Sequence, residues 1–359
     1  MDPFTGCFSS LEDPRTGNAR RHDLLDVLFV AFAAVLCGAE DCTDMADFAR
    51  AKLGFLRQVV RLEHGPPSHD TFSRVFRLLA PEPFEAAFAK FTAGFAGALE
   101  GVVAIDGKAL RGAYERGRKT CPLHLVNVWA ADARLVIGQR LAPGRNEVLG
   151  AQQALALLRL EGCIVTADAL HCRADTAQAI LATGADYALA LKANHPTLLA
   201  QAKALLLRAD QAAGTLQPPA RGHDRVEARA ATIVPASGID FPGIAAVARV
   251  ETHCQRAGKA EPTITRFFLL STLLSPERML EVARTHWTIE NQLHWVLDVA
   301  LCEDAARARK DNAPQNLALL RKLALNTLRQ NPEKGSIKTK IKRAGWNDAF
   351  LASLLGHMR

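Results

Sequence analysis

Apolar positions along the chain fall into three successive textures. From 22 to 98 they recur at helical spacing. The run LLDVLFVAFAAVLC (24–37) predicts a buried helix from near Asp23 to a stop at Gly38. TDMADFARAKLGFLRQVVRL (43–62) predicts a second helix. After the Gly-Pro-Pro break at 65–67, Ser68 caps a third, with Phe72, Val75, Phe76 and Leu79 as its stripe. A fourth spans about 82–98. Short helices with tight turns are compatible with a DNA-binding unit or with a plain helical bundle. Residues 1–20 hold Pro3, Gly6, Pro14 and Gly17 with little periodicity, and read as a loose arm.

The pattern changes at 101. VVAID (102–106) is a β-branched run ending in an acid. HLVNVWAA (124–131) and LVIGQRL (135–141) predict a hairpin. A helix follows at 147–160, then the strand CIVTAD (163–168), a helix at 173–184, the strand YALALK (187–192) and a helix at 196–209. From 210 to 274, Gly, Pro and polar residues separate short strands near 225–234, 244–252 and 264–271, which reads as a β-rich insertion. Ser275-Pro276-Glu277 then opens a long helix to about 301. Another helix covers 313–330, followed over 331–359 by a basic segment and an amphipathic tail. The expectation is an α/β fold with a mixed sheet and flanking helices. Its core spans 101–209 and 275–330, with the insertion between, behind an all-helical domain at 21–98.

Composition narrows the class. A chain of 359 residues with 49% apolar and 23% charged positions is globular, with room for two or three domains. The net charge of +7 permits a polyanionic partner. Eight scattered cysteines, with no C-x-x-C pair, read as reduced and mostly buried thiols. The run at 24–37 follows Arg20 and Arg21 and ends in a cysteine, as a lipoprotein signal would. Asp26 inside it and Leu36 before the cysteine oppose that reading, and the run is too short to span a bilayer. A cytoplasmic protein without a membrane anchor is expected.

Candidate chemistry sits on three acids. Asp106 and Asp168 close the strands 102–106 and 163–168, and functional groups collect beyond the carboxyl ends of parallel strands. In HWTIENQLHWVLDV (286–299), a helical wheel places Glu290 on one face with Ala283, His286, Trp287, Leu293, His294 and Leu297. Trp287 and Trp295 read as core. A Glu on such a stripe can snorkel to water or pair with His294. The spacing of His286, Glu290 and His294 also leaves a zinc or di-iron site open, although its companion motifs are missing. Taken together, Asp106, Asp168 and Glu290 form an all-oxygen set suited to Mg²⁺ or Mn²⁺. Two such ions roughly 4 Å apart serve phosphodiester hydrolysis or strand transfer.

These segments resemble a known family. AIDGKALRG (104–112), IVTADALH (164–171), YALALKANHPTL (187–198), RGHDRVEAR (221–229), HWTIENQLHWVLDV (286–299) and NAPQNLALLRKLALN (312–326) are similar to the ISAs-type, H-repeat-associated insertion-sequence transposases. HDLLDVLFVAFAAVLCGAED (22–41) and PSHDTFSRVFRLL (67–79) look like that family's helical N-terminal region. The resemblance covers about 20–350. It implies a ribonuclease-H-like core with a D-D-E triad, in which Asp106, Asp168 and Glu290 are the catalytic and metal-holding acids. It also implies DNA as partner (terminal inverted repeats and a target duplex), with the protein acting as a homo-oligomer on DNA. Ala109, His171 and Asp224 depart from the family pattern. Ala283, His286 and Leu297 stand where a related group has Tyr, Arg and Lys.

Basic residues add weaker support. Between 305 and 345 stand eleven Lys and Arg against Asp311 and Glu333, more excess charge than the whole chain carries. Lys338, Lys340, Lys342 and Arg343 are candidates for a phosphate track. Lys108, Arg111, Lys192 and Arg284 are candidates to hold the DNA backbone near the acids. The expected function is a DNA transposase that cleaves at element ends and transfers the 3′-hydroxyl. Its rivals are a structure-specific nuclease on the same core and a decayed copy that only binds DNA.

Overall fold

The computed structural model describes residues 3–96, 99–114, 122–209, 215–216, 220–222, 225–256 and 259–356. Cys121 and Asp224 lie outside them.

The helical region comprises α1 (Pro3–Phe8), α2 (Leu24–Leu36), α3 (Cys42–Ala51), α4 (Leu53–Leu56), α5 (His69–Leu78) and α6 (Pro81–Ala96). Asp23 caps α2 through the backbone N–H groups of Leu25 and Asp26, and Ser68 caps α5 through that of Thr71. Between 43 and 62 the helix breaks at Lys52. The segment expected as a loose arm is folded. Phe4 and Phe8 of α1 are buried against Phe29 and Phe32 of α2 and Phe84 and Phe91 of α6. Arg15 is buried, paired with Asp13, and donates to the His22 carbonyl at 2.6 Å. A helix of six residues carries too little periodicity to read, and its anchors lie far away in sequence.

The sheet is built from β1 (Gly101–Tyr114), β2 (Pro122–Ala130), β3 (Leu135–Leu141), β4 (Cys163–Ala167) and β5 (Asp186–Leu191), interleaved with α7 (Glu147–Leu155) and α8 (Ala174–Leu181) and followed by α9 (Pro196–Ala209). Next come β6 (Thr215–Leu216), β7 (Ala220–Gly222), β8 (Arg225–Pro235), β9 (Ala246–Arg256), β10 (Lys259–Ala260) and β11 (Ile264–Leu270). Strand order is β3-β2-β1-β4-β5-β11-β9-β8-β6. β4 runs parallel to both β1 and β5, whereas β1–β2, β2–β3 and β5–β11 are antiparallel. The 3-2-1-4-5 order of the first five strands is the expected ribonuclease-H-like arrangement. The β-rich stretch is continuous with this sheet, extending it beyond β5 and leaving β1 beside β4.

Strand periodicity sorts the two faces. Val103, Ile105, Val165 and Ala167 pack in the core shared with α7, α8 and α9. Val102, Ala104 and Ile164 face the opposite core, beneath the helical region and the late helices. Those are α10 (Pro276–His286), a π-helical turn (Ile289–His294), α11 (Trp295–Leu301), α12 (Ala313–Gln330), α13 (Ile337–Trp346) and α14 (Asp348–Gly356). α12 is buried along most of its length and packs on α2, α5 and α6, so the N-terminal helices share their core with the sheet. The long helix expected from 275 to 301 is thus interrupted by a wide turn. Among the described residues no helix is long and apolar enough to cross a membrane, and no disulfide is formed; Cys163, Cys172 and Cys254 are buried.

Candidate active site

Asp106 and Asp168 stand at the same level of two neighbouring strands. The parallel β1–β4 register ends at the Ile105–Ala167 pair, and each acid is the next residue. By strand alternation both share the face of Ala104 and Thr166, beneath α10 and the π-helical turn. β1 does not stop at Asp106. It runs on to Tyr114 against β2, pairing Asp106 with Asn127. Asp168 instead leaves its strand and caps a short 3-10 turn, accepting from the Leu170 N–H at 2.9 Å.

The Asp106 carboxyl is pushed up to about 7. Burial is the largest cause, opposed by the Gly107 N–H that donates to its Oδ1 at 2.9 Å and reinforced by the charges of Asp168, Glu147 and Glu290. Glu290 is exposed on the π-helical turn, and its charge reaches Asp106. In that turn the Trp295 N–H donates to the Glu290 carbonyl, five residues back. The wide turn shifts the helical register from the ideal wheel. Ile289, Leu293, His294 and Leu297 are buried, while Trp287 (46% exposed) and Trp295 (61%) face solvent rather than the core.

Two histidines on this helix are held inside the protein. His286 Nδ1 lies 3.0 Å from Thr166 Oγ1, and burial lowers its pKa to about 4. His294 Nε2 lies 3.2 Å from Asn127 Nδ2, with Nδ1 3.6 Å from Asp106 Oδ2. Burial first, and then the charges of Lys108 and Lys322, lower the His294 pKa to about 3, so its approach to Asp106 is that of a neutral ring and not an ion pair.

Sequence reasoning missed Glu147, the first residue of α7. Its carboxylate accepts from His124 Nδ1 at 2.8 Å and lies over Gly107, where an added Cβ would meet Oε2 at 2.4 Å. Its influence on Asp106 exceeds that of Glu290. The sequence shows it only as a common acidic residue after the cap Asn146. His171, one of the departures from the family pattern, is buried with its Nδ1 unpartnered and has a lowered pKa, caused first by burial and opposed by Asp168 and Glu147.

The basic candidates divide. Arg111, Lys192 and Arg284 are exposed, on β1, just after β5 and on α10. Lys338 and Lys342 are exposed on α13, and Arg343 beside them pairs with Glu333. Lys108 is buried and donates to both Asp298 carboxylate oxygens at 2.7 Å, with Asp304 at 3.4 Å. Lys340 is buried and donates to the carbonyls of Leu328 and Asn331 at 2.9 and 2.7 Å, closing the end of α12. Neither ammonium is available to a phosphate. Arg321 and Lys322, also in the basic run, are buried, Lys322 against Glu303. Charge runs cannot reveal which members turn inward.

The donor set at Asp106, Asp168, Glu290 and Glu147 is all carboxylate, which suits a hard divalent cation, and the neighbouring acids add to the burial that raises Asp106. Among the described residues no three His, Cys, Asp or Glu stand close enough to hold one ion together. This includes the His286–Glu290–His294 set that the sequence left open for zinc or iron. Asp106 and Asp168 share one face of the sheet in chemistry suited to Mg²⁺ or Mn²⁺, while Glu147 sits on the α7 side over Gly107, and no finished cage is formed.

Residues 97–327 match the family described as Transposase DDE domain, and residues 5–92 match the region described as DDE_Tnp_1-associated. The chain is 31% identical to the "H repeat-associated putative transposase YhhI" of Escherichia coli (strain K12), over 93% of this chain and 92% of that protein. It is 30% identical to "Putative protein YbfL" of the same organism, over 97% and 96%. Among solved structures, the cryo-EM structure of a piggyBac transposase synaptic complex with hairpin DNA aligns with a TM-score of 0.46 at 14% identity, covering 99% of this chain and 77% of that one. A sheet with its acids at the β1–β4 junction, and a family match spanning that sheet, the Glu290 turn and most of α12, lead to one conclusion: the chain belongs to the DDE transposase family.

Proposed function

We propose that this protein is the transposase of a bacterial insertion sequence, cleaving the phosphodiester at each end of its element and joining the freed 3′-hydroxyl to target DNA. The observation that supports this most is that Asp106 and Asp168 each follow the last pair of two adjacent parallel strands, with the Glu290 charge felt at Asp106. These three carboxylates would hold Mg²⁺ or Mn²⁺, two ions in the active complex. When bound, such ions polarise the phosphoryl oxygen and acidify the attacking water or 3′-hydroxyl. The chain's own acids supply the negative charge that binds them. No side-chain base is required, in keeping with buried histidines of lowered proton affinity beside the acids.

Arg111, Lys192 and Arg284 would position the DNA backbone near the acids, with Lys338, Lys342 and Arg343 forming a more distant phosphate contact. Lys108 and Lys340 drop out of this set because both are buried in internal bonds. The partners are the element's terminal inverted repeats and a target duplex, bridged by a homo-oligomer acting in the cytoplasm. The test uses intact and pre-nicked duplexes bearing the repeats that flank the gene, with Mg²⁺. Cleavage and joining by the wild type, and neither by Asp168→Asn, are expected. Cleavage without joining would reassign the protein as a nuclease, and DNA binding alone as a decayed copy.

A further inference from the structure

Asp106 is held at one oxygen and approached at the other. Its Oδ1 accepts from the Gly107 N–H at 2.9 Å, and its Oδ2 faces His294 Nδ1 at 3.6 Å. A carboxylate with one fixed oxygen can still rotate, and the second contact decides which way its free lone pairs point. His294 is itself held from behind. Asn127, the cross-strand partner of Asp106, is fully buried and lies with Nδ2 3.2 Å from His294 Nε2. An amide N–H there requires a lone pair on Nε2, and an ionised Asp106 only accepts. With the amide oriented this way, and with Asp106 in the ionised form that receives a cation, both neighbours place the ring proton on Nδ1, the nitrogen that faces the acid.

We propose that His294 is the positioning residue of the first acid, its Nδ1–H directed by Asn127 onto Asp106 so that the carboxylate is oriented to receive a divalent cation. The proposal rests on the metal-dependent reading above. At 3.6 Å the contact is longer than a formed hydrogen bond, as catalytic contacts in the unliganded state often are. His294 also closes the π-helical turn that carries Glu290. With that turn rewound as a regular α-helix, the ring would leave Asn127. One wide turn therefore presents the third acid to solvent while directing a neutral donor at the first. Partners of this kind behind a metal-holding group typically change metal affinity 10–100-fold when lost.

The test is calorimetric titration with Mn²⁺ alone, on the full chain, for wild type, His294→Phe, His294→Gln and His294→Asn. Only the Asn amide nitrogen falls at the Nδ1 level of the side chain; Gln places its amide one bond further out, near Nε2. Phe and Gln should weaken Mn²⁺ binding by about tenfold or more, and Asn should stay within about threefold of wild type. All four should bind a duplex equally in EDTA. Equal Mn²⁺ affinity in all four, or an Asn variant as weak as Gln, overturns the proposal, because a packing role would not distinguish the two amides. If His294→Phe fails to fold, the Asn–Gln contrast still decides. A wild type that cleaves in Mg²⁺ while Asn fails to rescue sinks this inference alone. A wild type that neither binds Mn²⁺ nor cleaves removes the metal-dependent reading and the inference with it.

Discussion

Lys108 donates to both oxygens of Asp298 at 2.7 Å, joining the strand that carries Asp106 to the helix that continues from the Glu290 turn. Glu303, fully buried, and Asp304 complete the acidic lining around the ammonium. Lys108→Met would leave this lining short of a cation. Breaking a fully buried pair costs about 3–5 kcal/mol; the partial exposure of Asp298 and Asp304 brings the expectation to about 2 kcal/mol. Urea denaturation checks it. A variant as stable as wild type would mean that Lys322 alone neutralises the cluster.

The raised Asp106 pKa predicts a pH-dependent stability. Its folded value of about 7 lies above its ordinary 3.8, so the native state holds the proton more tightly than the unfolded chain. The associated stability is full below pH ~4 and is lost as pH rises through 7. In metal-free buffer, the melting-temperature difference between Asp106→Asn and wild type should therefore favour the variant at pH 8 and shrink towards pH 5. Taking the difference removes contributions from other groups with raised values, such as Glu85. A difference that does not change with pH would refute the assignment.

On α13 the basic residues should separate by experiment. Replacing exposed Lys338 and Lys342 by Ala should flatten the salt dependence of DNA affinity by up to about 0.9 per phosphate contact, leaving thermal stability unchanged. Lys340→Ala should leave the slope alone and destabilise the fold by about 2 kcal/mol, because two carbonyls lose a charged donor. A Lys340 variant with a changed slope would place that ammonium on the DNA.

Elements with a strong period were legible in the sequence. The α12 boundaries, the β2–β3 hairpin and the place of Asp106 and Asp168 at strand ends follow from alternation and spacing, whereas the adjacency of those two strands is expected only from the family resemblance. What escaped was the product of tertiary geometry. β1 continues past Asp106 because β2 offers it a partner, and no local signal announces that. The Trp287 and Trp295 rings face solvent on either side of a wide turn that the regular helical wheel does not anticipate. Glu147 enters the site only because α7 begins where β1 passes beneath it.

That last contact makes a fourth prediction. Gly107→Ala should destabilise the protein by forcing the Glu147 carboxylate off His124, at a cost of about 1–2 kcal/mol. In the Glu147→Ala background the same change should be close to neutral. A double-mutant cycle reads the coupling, and additive effects would show that the carboxylate moves aside freely.

Gly107 has no left-handed backbone, unlike Gly101 at the start of the same strand, so the glycine is required for space and not for conformation. Positions 107 and 147 are therefore coupled by space alone. Removing the acid from α7 would release the strand from glycine, and a side chain at 107 would displace the acid. The Asp-Gly pair in mid-strand thus takes its shape from a carboxylate on the helix that follows the hairpin.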